Sequence, residues 1–190
     1  MSLGRRWCSV TLLVIITSST ALMTACSDDP PTKEIQQAQQ AIDTAREAGA
    51  AQYSTQEFTA AEGALKRAQD AVTARDYRQA LNDALDARDR AQTSAKDAAE
   101  RKAAAKTDAD RALHDAALAV IDAHAKLRAA ESARRPLRVL VPVRRSLAEA
   151  EMHVQEARTA FDKGDYLEAS ALLMKTMAIL DEQKLRLSAR

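Results

Sequence analysis

Residues 77–134 read YRQALNDALDARDRAQTSAKDAAERKAAAKTDADRALHDAALAVIDAHAKLRAAESAR and contain neither Gly nor Pro. Alanine, the residue with the highest helix propensity, is the commonest residue in this stretch. A seam of small or apolar residues recurs at helical spacing: Ala95, Ala98, Ala105, Ala109, Ala112, Ala116, Val120, Ala123, Leu127 and Ala130. If the stretch is one helix, it is about 87 Å long. The alternative is two helices separated by a break around Ala103–Asp108.

The rest of the chain has the same helical character. Its 190 residues include only 4 Gly and 4 Pro, and 3% are aromatic. A β-sandwich or β-barrel needs more turn residues and β-branched runs than this. The sequence therefore predicts an all-α protein of elongated antiparallel helical hairpins. We expect two three-helix units, residues 33–106 and residues 107–190, which can share one long central helix.

An internal duplication supports the division into two units. Residues 57–92 align with residues 146–181, and large apolar residues fall in register: Phe58 with Leu147, Leu65 with Val154, and Val72 with Phe161. Pro136 and Pro142 bracket a segment that we expect to be a non-helical loop between the units. Ser54 and Glu57 have the spacing of a capping box, which predicts a helix start there.

The two units share a hairpin corner. Asp76-Tyr77 in the first unit corresponds to Gly164-Asp165-Tyr166 in the second. We expect a flexible residue to end one helix, the Asp to cap the next, and the Tyr to pack back across the hairpin. Residues 163–169 resemble the corner between the two helices of a tetratricopeptide repeat, although the rest of that repeat signature is missing.

The last predicted helix has an unusually wide apolar face, which a two-helix hairpin does not need. Two interpretations remain open: an intrachain three-helix bundle, or a face that contacts a partner protein. The residues that we single out as candidate protein contacts are Leu172, Met174, Met177 and Ile179.

The N-terminal residues 1–25 have the features of an export signal. Arg5 and Arg6 precede an apolar stretch from Trp7 to Met23 that is short for a membrane-spanning helix. Leu22-Met23-Thr24-Ala25-Cys26 resembles the lipobox of bacterial lipoproteins, with Met23 where Leu is usual. The resemblance implies that Cys26 is lipidated and becomes the new N-terminus. The arginine pair leaves open whether export uses the general secretory or the twin-arginine route.

Residues 26–32 then serve as a short tether. By resemblance to the sorting rule of Gram-negative lipoproteins, Ser27 directs the protein to the outer membrane, with the folded part on its periplasmic face. Pro30 and Pro31 precede the first helix-type residues near Lys33.

Three segments of the first unit resemble the domain of unknown function 4398 family. They are Ala45–Ala50, the Tyr53 and Glu57 entry, and Asp76–Ala80. The resemblance covers residues 34–105, with Ser54-Thr55 where the family has Ala-Pro and Arg75 where it has Gly. It implies a small helical envelope lipoprotein and no particular activity.

The sequence provides no set of residues for catalysis, and we expect neither enzyme activity nor a cofactor. His114, His124 and His153 lack metal-ligand spacing, so we predict no metal site and place all three on helix surfaces. Carboxylates alternate with Lys and Arg at helical spacing, which is typical of a solvated, ion-paired face.

An arginine cluster surrounds the proline-bracketed segment: Arg134, Arg135, Arg138, Arg144 and Arg145. It is either a contact for an anionic surface, such as peptidoglycan, lipopolysaccharide or anionic lipid, or a solvated interhelical loop. Nucleic acid is not an expected partner, because the net charge is only +1 and few aromatic residues are present for base stacking.

These features predict a non-enzymatic lipoprotein that acts as a helical scaffold or adaptor. We expect an envelope protein as its partner, with the membrane bound through the N-terminal lipid. Two alternatives remain open: a binding module for an anionic envelope polymer through the arginine cluster, and an accessory subunit of an envelope complex.

Overall fold

The structure, a computed structural model, describes residues 29–188. Those residues form six helices and no strand, which confirms the all-α prediction. The helices are α1 (Thr32–Glu47), α2 (Ala50–Tyr53), α3 (Thr55–Thr73), α4 (Tyr77–Ser132), α5 (Leu137–Lys163) and α6 (Tyr166–Ser188). The expected signal peptide and Cys26 lie outside the described residues.

Helix α4 is the central element of the fold. Its 56 residues form one uninterrupted helix, about 84 Å long at 1.5 Å per residue. The alternative of a break around Ala103–Asp108 is therefore wrong. At the N-terminus of α4, the backbone N–H of Gln79 donates to the side chain of Asp76 at 3.0 Å, so Asp76 acts as the predicted cap.

Two bundles share α4. Helices α1, α2 and α3 pack on its N-terminal half, and α5 and α6 pack on its C-terminal half. Within residues 29–188, no helix of the first group contacts a helix of the second. Ala105 packs against the first core and Ala109 belongs to the second, so the change of core falls between these two residues. The third helix of one bundle thus continues as the first helix of the next.

The two cores differ in the size of their side chains. The first is built mainly of alanines, with Ile42, Tyr53, Phe58 and Leu65 as its larger members. The second buries larger aliphatic residues from all three of its helices: Leu127, Leu140, Val143, Leu147, Val154, Leu173 and Leu180. Because Ala buries little area, the first bundle gains less hydrophobic stabilisation per residue than the second.

The hairpin corners have the same backbone hydrogen bonds in both units. In the first, Asp76 N–H donates to the Ala71 carbonyl at 2.9 Å; in the second, Asp165 N–H donates to the Ala160 carbonyl, also at 2.9 Å. This six-to-one bond defines a Schellman motif, in which the preceding residue adopts a left-handed conformation. The motif occurs after α3 and again after α5, at the two corners that the sequence aligns.

The predicted capping box at the start of α3 is wrong. The Ser54 side chain makes no capping hydrogen bond. Glu57 instead reaches across to α4, where its Oε2 lies 3.2 Å from Nη1 of Arg90. The Glu57 side chain therefore forms a charge-assisted contact between helices instead of the local cap that the sequence pattern predicts.

The predicted loop between Pro136 and Pro142 is also wrong, because α5 begins at Leu137 and continues through Pro142. Pro136 has extended backbone angles and precedes the first helical residue. Pro142 removes one hydrogen bond, to the carbonyl of the exposed Arg138 in the first turn. The burial of apolar neighbours on both sides of Pro142 outweighs this loss.

The left-handed corner residues give a direct test of the duplicated turn. Arg75 has φ +58° and Gly164 has φ +88°. Since this conformation costs a non-glycine residue about 1 kcal/mol, we expect Arg75→Gly to raise the free energy of unfolding by about 0.5–1 kcal/mol. Gly164→Ala should lower it by about 1 kcal/mol through backbone strain alone, because an added Cβ has no neighbour within 4 Å.

Urea unfolding measures both effects. Gly63→Ala is the matched control, since Gly63 lies inside α3 and an added Cβ meets only the Arg67 side chain at 3.8 Å. It should stabilise the protein as an ordinary helix substitution. A stabilising Gly164→Ala would contradict the corner geometry.

The middle of α4 gives a second test, of the independence of the two bundles. Ala103, Ala104 and Lys106 are exposed in the stretch between the cores. Ala104→Pro breaks the helix at an exposed position between the two cores, so we expect calorimetric unfolding to split into two transitions, with the alanine-rich bundle melting first. Ala104→Gln, which keeps the helix, should unfold like the unmodified protein. A single transition for Ala104→Pro would show that the bundles do not depend on α4 for their coupling.

Candidate functional site

The arginine cluster lies where α4 ends and α5 begins. Arg134 ends α4 in a left-handed conformation with φ +54°, and Arg135 N–H donates to the Ala130 carbonyl at 3.1 Å. This is the same Schellman geometry as at the hairpin corners. The chain therefore reverses direction tightly, and all five predicted arginines lie in or near this turn. We call this end of the protein, residues 134–145, the distal tip.

Two of the five arginines brace the turn. Arg144 on α5 donates from Nε at 2.9 Å and from Nη2 at 2.7 Å to the same Oε1 of Glu131 on α4. Arg135 donates from Nη2 to the Leu187 carbonyl near the C-terminal end of α6, at 3.1 Å. A cation at a helix C-terminus is favoured by the helix dipole. These two side chains hold α4, α5 and α6 together at the distal tip.

The other three arginines point into solvent. The side chains of Arg134, Arg138 and Arg145 are exposed and make no hydrogen bond or ion pair with another residue of 29–188. The first turn of α5 contains no acidic residue that would offset them. Leu137 and Val141, 68% and 56% exposed, lie among these charges. The distal tip thus combines uncompensated positive charge with exposed apolar surface.

The distal tip and the start of the described chain lie at opposite ends of α4. Pro30 and Pro31, just before α1, line a cleft of about 760 Å³ together with Tyr77, Arg78 and Leu81 at the beginning of α4. The N-terminal residues of the described chain are thus next to the start of α4, and the arginines follow its end. The length of α4 separates the two by about 84 Å.

The four candidate contact residues on α6 separate into two groups. Leu172, Met177 and Ile179 are partly buried and pack against α4 and α5 in the second core. Met174 is 70% exposed on the opposite side of α6. Two neighbouring helices thus account for the wide apolar face. The outward face carries Leu167, Ala171, Met174 and Ala178 at three- and four-residue spacing, with Leu185 two turns further on.

A second exposed apolar surface, which the sequence analysis does not predict, lies between α4 and α5. Ile121 of α4 and Met152 of α5 are 63% and 53% exposed and line a groove between these helices. Leu118, 52% exposed, lies one turn away. The sequence does carry a signal for this surface. Ile121 directly follows Val120 of the predicted seam, so the two side chains lie on different faces of α4. Within residues 29–188, all large exposed apolar residues except Leu81 belong to the second bundle.

The tyrosines of the two hairpin corners make packing contacts. The Tyr166 ring packs edge-on against Phe161 of α5, with centroids 5.2 Å apart, as the sequence predicted for the second corner. Tyr77 at the first corner borders the cleft with Pro30 and Pro31. Burial raises the pKa of the Tyr53 phenol above its ordinary value, with smaller contributions from Tyr166 and Asp165. The second corner therefore lies near the α2 turn of the first bundle, alongside α4.

One histidine differs from its predicted position. His153 is buried in the second bundle, 5% exposed, and its Nδ1 has no hydrogen-bond partner within the described residues. His153 lies between Ala150 and Val154 on the buried face of α5, so its position in the helix buries it although its side chain is polar. His124 Nε2 lies 2.5 Å from Oε1 of Glu151 and links α4 to α5.

Within residues 29–188, no group of three or more His, Cys, Asp or Glu side chains is arranged to hold a metal ion. None of the helices there combines the length and apolar character that crossing a membrane requires. No family model, curated protein or solved structure matches this chain.

Proposed function

We propose that this protein is a lipid-anchored envelope lipoprotein that acts as a helical scaffold or adaptor on the periplasmic face of the outer membrane. It performs no catalysis of its own; it binds an envelope protein through the second bundle. Cys26 carries the lipid, and residues 1–25 are removed as a signal peptide. The lipobox-like residues 22–26 and Ser27 support this assignment.

The observation that carries the proposal is the separation of the two ends by a single continuous helix. Asp29 follows Cys26 by three residues, a reach of about 10 Å, so a lipid on Cys26 keeps the start of α4 close to the bilayer. Helix α4 then extends up to about 84 Å to the distal tip. A rigid rod of this kind presents a binding surface at a set distance from its anchor.

The location of the apolar surface supports a protein partner for the second bundle. Met174 and Ile121 lie on different faces of this bundle, and both are more than half exposed. Exposed apolar patches on small soluble bundles commonly mark interaction sites. The resemblance of residues 34–105 to the domain of unknown function 4398 family supports the envelope location and adds no activity.

Photo-crosslinking in living cells tests the adaptor function. We expect a photoreactive residue at Met174 or Arg138 to give adducts with one defined envelope protein, since both side chains are exposed on the second bundle. The same residue at Lys66, which is exposed on the first bundle, is the matched control and should give none. Mass spectrometry identifies the adducts.

Cys26→Ser provides a second control, because removal of the anchor should abolish the adducts while leaving the fold intact. Equal adducts from Lys66 and Met174, or adducts with lipid alone, would contradict the adaptor proposal.

The three unpaired arginines favour a second candidate function, the binding of an anionic envelope polymer. Arg134, Arg138 and Arg145 project from a tip that Arg144 and Glu131 hold in place, so their charges are presented together rather than on a loose loop. At up to about 84 Å from the anchored end, a rod standing away from the bilayer would reach the peptidoglycan rather than the lipid that anchors it.

Co-sedimentation tests this candidate. Reversal of Arg134, Arg138 and Arg145 to Glu should reduce binding to purified peptidoglycan at least tenfold at low salt, because about three favourable charge contacts become repulsive. Reversal of Arg78, Lys106 and Arg158, which are equally exposed elsewhere, is the charge-matched control and should have little effect. Equal losses in the two triple variants would show nonspecific charge binding, and preferential binding to anionic vesicles would indicate lipid instead.

A further inference from the structure

The outward face of α6 carries an apolar stripe that is open to solvent. Leu167 and Met174 are 50% and 70% exposed, and Ala171 and Ala178 are exposed as well. At 100° per residue, all four side chains lie within an arc of about 60°. The buried side chains of α6 lie on the opposite side of the helix. The stripe therefore faces away from the second bundle, with the spacing of a helix that pairs with another helix.

Large and small side chains alternate along this stripe, in the order Leu167, Ala171, Met174 and Ala178. If the same stripe of a second copy packs on it in the antiparallel direction, Leu167 lies opposite Ala178 and Ala171 lies opposite Met174. Every layer of the contact then pairs a large side chain with a small one, and such layers interdigitate well. A parallel pair would instead place alanine opposite alanine and leave those layers poorly filled.

The charges beside the stripe favour the same arrangement. Glu168 and Lys175 are exposed on one edge of the stripe, and neither forms an ion pair within residues 29–188. In the antiparallel pair with Leu167 opposite Ala178, Glu168 of each copy lies beside Lys175 of the other. The two-fold axis produces this contact twice. Opposite charges at such flanking positions set the partner and the orientation of paired helices.

Asp181 argues against the competing arrangements. It is exposed and lies one turn beyond Ala178, on the same face of α6. A parallel pair would bring the Asp181 carboxylates of the two copies together. An antiparallel pair in which Lys175 meets Glu182 would bury Asp181 against Ala178, and a carboxylate buried without a partner is costly. With Leu167 opposite Ala178, Asp181 lies beyond the last apolar layer.

We propose that the outward face of α6 binds a second copy of this protein, in the antiparallel direction, through residues 167–178. The proposal rests on the proposed adaptor function, because it names the protein that covers the Met174 surface. The groove at Ile121 and Met152 stays open for another envelope protein. The contact involves only about three helical turns, which is small for a specific interface, so monomer and dimer exchange at micromolar concentrations.

Sedimentation equilibrium of the intact protein in mild detergent tests the charge pairing. Glu168→Lys should weaken the dimer about tenfold at low salt, because both symmetric ion pairs become repulsive. Lys175→Glu should have the same effect, and the double exchange Glu168→Lys/Lys175→Glu should restore the original affinity. Glu156→Lys, at an exposed position of α5, is the matched control and should leave the dimer unchanged.

Disulfide trapping tests the direction of the two helices. Two differently tagged copies are expressed in the same cells, one with Leu167→Cys and the other with Ala178→Cys, and the cells are treated with an oxidant. We expect a disulfide between the copies, because the proposal places these positions opposite each other. Leu167→Cys in both copies is the control and should give none, since the two sulfurs would lie about 16 Å apart along the helices.

Three results would overturn the proposal. They are a protein that stays monomeric at millimolar concentration, a double exchange that fails to restore the dimer, and trapping in the Leu167→Cys control but not in the mixed pair. A monomer whose Met174 crosslinks to a different envelope protein would overturn the dimer and leave the adaptor function intact. A dimer that gives no adduct with any other protein would have the opposite meaning: it supports the dimer and contradicts the adaptor function.

Discussion

The structure depends on the continuity of α4. Seven of its ten buried positions are alanines, all completely inaccessible to solvent: Ala80, Ala84, Ala87, Ala91, Ala98, Ala109 and Ala116. Side chains this small allow neighbouring helices to approach closely along both halves of α4, although each buries little area. A helix of this composition gains most of its stability from tertiary packing rather than from its own propensity. The bundles stabilise α4, and α4 in turn fixes their positions.

The shared helix is the main connection between the two bundles. In the middle of α4, Ala103, Ala104 and Lys106 are exposed between the two cores, and the α2 turn and the second corner lie near each other alongside the helix. The orientation of the second bundle relative to the first is therefore set by the number of helical residues between them. An insertion or deletion there would rotate one bundle by about 100° per residue.

The architecture could be predicted from the sequence because its signals are periodic and repeated. The seam of residues 95–130 and the register of Phe58 with Leu147 specify helices and units without reference to distant contacts. The errors arose where a distant contact decides the outcome. Glu57 pairs with Arg90 on α4 instead of forming the expected cap. Helix α5 continues through Pro142 because its apolar neighbours are buried in the core. Of the predicted site residues, Met174 and four of the five arginines are exposed, whereas His153, which the sequence placed on a helix surface, is buried.

The difference between the two cores suggests a division of roles. The first bundle is built mainly of alanines, and Leu81 is its only large apolar side chain among the described residues that is exposed. The second bundle buries branched residues of several sizes. It also exposes Ile121, Met152 and Met174. Under the proposed function, the first bundle supports the rod and the second bundle provides the apolar binding surface.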